Sequence, residues 1–77
     1  MSNSVTIRPD CAYELRSGSP ELTITNKGYG EAVYYVSQGG KKPKREVLSG
    51  TGSMQNYENV QYPFIVDNQG PDAIILT

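Results

Sequence analysis

The sequence predicts an all-β fold: a small antiparallel β-sandwich or partly open barrel of about six to seven short strands. Three observations predict it. Eight glycines and five prolines punctuate 77 residues, and the longest stretch between them, Ser53 to Tyr62, holds ten residues. Helices in globular domains average about 11 to 12 residues and strands about 5 to 6, so every stretch accommodates a strand and none an ordinary helix. Within the stretches, apolar and polar residues alternate with period two, the signature of a half-buried strand. Finally, Leu22-Thr-Ile-Thr-Asn-Lys-Gly28 recurs as Phe64-Ile-Val-Asp-Asn-Gln-Gly70, each copy reading apolar-x-apolar-x-Asn-x-Gly. Both copies read as strand, tight turn, strand.

The elements follow in order. Val5 and Ile7 alternate with Thr6 and Arg8, and Tyr13 and Leu15 with Glu14 and Arg16. Leu22 and Ile24 form the third strand, with Asn26-Lys-Gly28 as a three-residue hairpin loop. Glu31 to Gln38 carries Val33, Tyr34, Tyr35 and Val36, a β-branched and aromatic run that suits burial on both faces. Gly39 to Arg45 reads as a longer, mobile hairpin tip, and Glu46 to Ser49 as a short strand. The run Ser49-Gly-Thr-Gly-Ser53 suits a crossing between sheets. Val60, Tyr62, Phe64 and Val66 alternate as one long strand, with Pro63 at an edge or bulge because it cannot donate to a ladder. Asn68-Gln-Gly70 repeats the first turn, with Pro71 in place of the Tyr29-Gly30 pair making it one residue tighter. The chain then runs through Ala73-Ile-Ile-Leu-Thr77.

The run Ile24-Thr-Asn-Lys-Gly28, the small-residue strand after it and Leu48-Ser-Gly50 together resemble immunoglobulin-like modules over about half of the chain. The resemblance implies an architecture of two packed sheets. The doubled pattern also admits a pseudo-twofold arrangement in which each copy forms one side of the sandwich.

Seventy-seven residues suit one domain, 1–77, without a linker. So small a core usually needs a staple. Cys11 is the only cysteine and there is no histidine, so neither a disulfide nor a zinc site is available. Cys11 reads as a small buried or half-buried hydrophobe. A single thiol fits a reducing compartment, a viral particle or an unstapled surface protein. No cationic and apolar leader opens the chain, and no apolar run approaches a membrane span, so a soluble protein without membrane insertion is expected.

Without histidine, Ser-His-Asp and Cys-His catalysis are excluded, and the glycines follow no phosphate-loop spacing. A non-enzymatic protein needing no cofactor and no metal is expected. Asp67 to Asp72 offers oxygen ligands at loop spacing, but turn capping accounts for its Asp and Asn residues.

Three features remain as candidate interaction sites. Lys41, Lys42, Lys44 and Arg45 form a basic tip, leaving three basic groups against eight acidic ones elsewhere, a balance of −5. The acidic body and the lack of aromatics interleaved with the cations argue against nucleic acid. The tip suits either edge protection or contact with an acidic partner, including another copy. Six tyrosines stand beside one phenylalanine and no tryptophan; Tyr29, Tyr57 and Tyr62 are candidates for an interface or for stacking on sugars. Ile74, Ile75 and Leu76 form a β-prone terminal strand that must pair, within its own sheet or with a neighbour.

Three functions follow as expectations. The first is a structural or protein-interaction module, self-assembling as a homo-oligomer or built into a virion, fibre or appendage. The second is a small lectin-like module that binds a glycan. The third is a phage-borne inhibitor or adaptor that presents the basic tip to an acidic host protein or nucleic acid.

Overall fold

The computed structural model describes residues 4–77. Any tethering of Met1 to Asn3 by sheet pairing lies outside the described residues. Eight strands form: β1 (Val5–Ile7), β2 (Cys11–Leu15), β3 (Leu22–Asn26), β4 (Glu31–Gln38), β5 (Lys44–Ser49), β6 (Met54–Tyr57), β7 (Phe64–Pro71) and β8 (Ile74–Leu76). They build two four-stranded antiparallel sheets, in the orders β1-β8-β3-β6 and β2-β7-β4-β5. The fold is a β-sandwich, as the punctuation and alternation require. Immunoglobulin-like sandwiches order their strands ABED and CFG, so the likeness is one of layered architecture.

Each strand turns one side inward. Ile7, Leu22, Ile24, Tyr34, Val36, Leu48, Phe64, Val66, Ile74 and Leu76 are buried between the sheets. The strand β4 departs from its expected burial on both faces. Ala32, Tyr34 and Val36 face the core while Val33 is half-buried and Tyr35 exposed, because a two-layer sandwich has nothing to cover an outer face. The terminal strand β8 lies between β1 and β3. Its pairing need is therefore met within the chain, and Ile74 and Leu76 are core residues.

Three other expectations are corrected. Val60 to Tyr62 precedes the strand rather than belonging to it, and β7 begins at Phe64, after Pro63. The strand that the alternation does not predict, β6, is polar (Met-Gln-Asn-Tyr) and lies at a sheet edge, where only Tyr57 turns to the core. Cys11 is exposed: its parity matches Tyr13 and Leu15, but it begins an edge strand beyond the cover of the opposite sheet.

The doubled Asn-x-Gly turns are not hairpins. The strands β3 and β4 belong to different sheets, as do β7 and β8, so both connections are arches across the sandwich. Asn68-Gln-Gly70 itself lies within β7, at a bulge in its pairing with β4, and the second crossing follows at Asp72-Ala73. Advancing every strand by four positions in chain order converts one sheet order into the other. The two halves of the chain are related by an internal twofold, and their strands alternate across both sheets. Neither half forms one side alone.

The hydrogen bonds repeat with the same offset. Gly28 N donates to Asn26 Oδ1 (3.0 Å) and Gly70 N to Asn68 Oδ1 (2.8 Å). Asn26 Nδ2 donates to Gly30 O (3.1 Å) and Asn68 Nδ2 to Asp72 O (3.0 Å). Gly30 and Asp72 are thus equivalent, and the second arch is not one residue tighter. The connection from β1 to β2 matches that from β5 to β6. Cys11 N donates to Arg8 O and Ser53 N to Gly50 O, while Asp10 and Gly52 share a left-handed corner at φ 65° and 77°. No sequence likeness between Arg8-Pro-Asp-Cys11 and Gly50-Thr-Gly-Ser53 announces this match.

Candidate functional site

The strand orders leave the sandwich open at two opposite edges, one bounded by β1 and β2 and the other by β5 and β6. The internal twofold exchanges them. Each edge carries a cleft, and the two clefts differ in chemistry.

The β1/β2 cleft is apolar. Val5, Tyr13, Leu15, Leu22, Tyr62 and Leu76 line most of about 590 Å³, with serines and Glu21 at the rim. Tyr13 and Leu15 face inward from β2, but β2 is an edge strand, so the side chains are only half covered. Tyr62 packs against the same cluster and donates its hydroxyl hydrogen to Ser19 O. This bond holds the β2–β3 connection at the mouth of the cleft.

The β5/β6 cleft is cationic and smaller, about 330 Å³. Lys44 and Glu46 line it from β5, Gln55 and Tyr57 from β6, and Lys41, Lys42 and Gln38 from the neighbouring tip, with Val36 at its base. The tip is anchored: Ser37 Oγ donates to Lys41 O (2.7 Å), Lys41 N to Gln38 O (3.0 Å) and Gly39 N to Pro63 O (3.0 Å). It is not the free loop that its glycines suggest.

Tyr57 is fixed on two sides. Its ring meets Phe64 edge-on, with centroids 5.5 Å apart and planes at 73°, and its hydroxyl pairs with Tyr34 Oη at 2.8 Å. Burial pushes the Tyr57 phenol up to about 12; the bond from Tyr34 acts against this, and the charge of Glu46 reinforces it. Tyr34 is also pushed up, first by burial, then by its bond to Tyr57 and by the charges of Tyr57 and Glu46.

The candidate residues are therefore divided. Lys41, Lys42, Lys44 and Tyr57 share the cationic cleft. Arg45 stands beside Tyr35 in the register of β5 on β4, on the opposite side of the strand from Lys44 and Glu46. Tyr29, 92% exposed, stands alone at the first arch. Tyr62 belongs to the apolar edge, so the tyrosine trio forms no common platform. Ile75 is half-buried, flanked by Ile74 and Leu76 in the core. Asp72 is engaged in the fold, its carboxylate accepting from Gly30 N at 2.8 Å.

Sequence reasoning missed Val5, Tyr13, Leu15 and Leu22 as surface-forming residues. Their period-two pattern signals an inward face, but only the strand order shows that the face reaches an uncovered edge. Gln38 and Gln55 carried no signal at all.

No protein-family model matches the chain. No curated protein and no solved structure matches it either. Among the described residues, no helix is long and apolar enough to cross a membrane.

Proposed function

We propose that the protein is a non-enzymatic structural and interaction module that associates with copies of itself through the β1/β2 edge, as a subunit of a larger particle, fibre or appendage. The observation that carries this reading is the apolar cleft at that edge. Tyr13, Leu15, Leu22 and Tyr62 line the open side of a two-layer core, and tyrosine with aliphatic cover is the composition of association surfaces. A chain with one cysteine and no histidine has neither a disulfide nor a zinc staple to supplement a small core. Apposing two such edges adds apolar burial by the most direct route. Because β8 is already paired on both sides, association runs through side chains at the edge and not through a donated strand.

Sedimentation velocity over a dilution series tests the reading. The wild-type chain is expected to shift reversibly from monomer to oligomer with concentration. Leu15→Glu, which places a charge in the cleft mouth, is expected to remain monomeric with an unchanged circular dichroism spectrum. A folded monomer at every wild-type concentration, or an oligomer indifferent to Leu15→Glu, defeats it.

A further inference from the structure

We propose that the β5/β6 cleft is a binding site for a saccharide bearing sulfate or phosphate groups. Lys41, Lys42 and Lys44 converge on one cleft, and among the described residues the single ion pair is Arg16 with Glu14. None of the three lysines is ion-paired, and the one carboxylate in the lining is that of Glu46. Like charges gathered at one concave surface sum their fields and attract a multivalent anion.

The internal twofold supplies a comparison within the molecule. Among the described residues the equivalent cleft at the other edge is lined by no lysine or arginine. The tip that brings Lys41 and Lys42 maps onto the unjoined ends of β8 and β1 and has no counterpart there. The β2 edge carries its own exposed charges, Glu14 and Arg16, outside its cleft, as edge protection asks. The cations at β5/β6 are thus a local property of that cleft.

The remaining lining selects a sugar. Gln55 offers an amide, and Gln38, whose Oε1 already accepts from Gln61 N (3.0 Å), keeps its amino group for donation. Tyr57 presents a ring locked by Tyr34 and Phe64, a surface for the C–H face of a pyranose. Glu46, in the same lining, accepts from ligand hydroxyls and repels an anion placed on its side. That combination suits a ligand with anionic groups at one end and hydroxyls at the other. A polynucleotide, charged at every residue and wanting several stacking rings, fits it poorly. The volume lies at the lower end of small-ligand sites.

Isothermal titration calorimetry with four probes tests the proposal: a heparin-derived tetrasaccharide, mannose 6-phosphate, uncharged maltotetraose and a single-stranded oligothymidylate. At least one charged sugar is expected to bind saturably, more weakly as salt rises, and maltotetraose not at all. The tighter of the two tells sulfate from phosphate. Lys42→Ala and Lys44→Ala are each expected to weaken binding about tenfold, the scale of one charge-assisted contact. Glu46→Gln is expected to tighten it. Lys27→Ala, a cation outside the cleft, is expected to change nothing. Thermal unfolding of each variant separates lost binding from lost folding. The proposal is overturned if neither charged sugar binds at about 1 mM, a concentration matched to weak contacts, or if maltotetraose binds equally. It is also overturned if Lys27→Ala weakens binding as much as Lys42→Ala, or if the oligothymidylate binds more tightly than either sugar. The cleft lies at the edge opposite β1/β2, so these outcomes do not depend on self-association.

Discussion

Asn26 and Asn68 occupy the same place in the two halves of the chain, both buried, Asn26 as the last residue of β3 and Asn68 three residues before the end of β7, and each leads into an arch. Their side chains do more than cap a turn. Asn26 Nδ2 reaches Gly30 O, Gly50 O (3.2 Å) and Leu48 O (3.4 Å), while Asn68 Nδ2 reaches Asp72 O and Ile7 O (2.9 Å). Each amide therefore ties its own arch to the neighbouring connection between sheets. Both polar groups sit fully inside the sandwich with their hydrogen bonds made, which is the condition for burying an amide without penalty.

Asn68→Ala is expected to lower stability by about 2 to 4 kcal/mol, since it strands Ile7 O, Asp72 O and Gly70 N in the interior. Asn26→Ala belongs in the same range. Asn68→Asp is expected to cost at least as much, because a carboxylate would face two carbonyl oxygens. Urea unfolding at neutral pH measures all three, and a loss below about 1 kcal/mol for either alanine variant contradicts the tie.

The asparagines also mark how far the sequence could be read. Their repetition is visible, and the flanking alternation gives the strands and their inward faces. What the sequence conceals is the direction taken after the turn. A hairpin and an arch both need strand, Asn-x-Gly and strand; they differ in the burial of the asparagine, which only long-range partners such as Leu48 and Ile7 decide. The edge strand β6 was hidden for a related reason, since Met54, Gln55 and Asn56 are exposed and leave no apolar period to detect. The clefts were the least legible feature, because an edge is a property of strand order.

Gly28 stands where one arch meets the other. A Cβ built there falls 2.3 Å from Asp72 Cγ, with both carboxylate oxygens at 2.6 Å, while that carboxylate accepts from Gly30 N. Gly28→Ala is expected to cost about 1 to 3 kcal/mol through this overlap. In Asp72→Ala the space opens, so the double variant is expected to be more stable than the sum of the two losses predicts. A double-mutant cycle by urea unfolding reads the coupling; simple additivity contradicts the contact.

The internal twofold has a consequence for chain connectivity. It carries the β4–β5 hairpin onto the pairing of β8 with β1, where Val5 stands opposite Leu76. Joining Thr77 to Ser4 through a loop of about five residues, within the usual hairpin range, and opening the chain between Gly40 and Lys41 exchanges one connection for its equivalent. This circular permutant is expected to fold cooperatively to the same circular dichroism spectrum, with a stability loss of no more than about 2 kcal/mol. Opening the chain instead between Thr25 and Asn26 is expected to abolish folding, because it cuts β3 beside the buried amide. A permutant opened at Gly40 that fails to fold removes the equivalence.

Alkaline pH tests the buried phenol pair. An unfolded tyrosine releases its proton near pH 10, whereas Tyr57 in the folded chain holds its proton to about 12, and Tyr34 is shifted in the same direction. The folded state then binds more protons than the unfolded state, so stability falls as pH rises. The contribution is intact below pH 10 and is lost from there through about 12, by about 1.4 kcal/mol per pH unit for each proton retained. Tyr57→Phe removes one of the two protons and is expected to halve the slope, although it lowers stability at neutral pH by leaving the Tyr34 hydroxyl without its partner. Glu46→Gln removes a charge that holds both protons on, and is expected to move the onset of phenolate absorbance in the folded protein to lower pH. Urea unfolding at intervals from about pH 9 to 11.5, the range set by the ordinary and shifted tyrosine values, supplies the slopes. Equal slopes for wild type and Tyr57→Phe would show that the buried Tyr57 phenol holds no extra proton in this range.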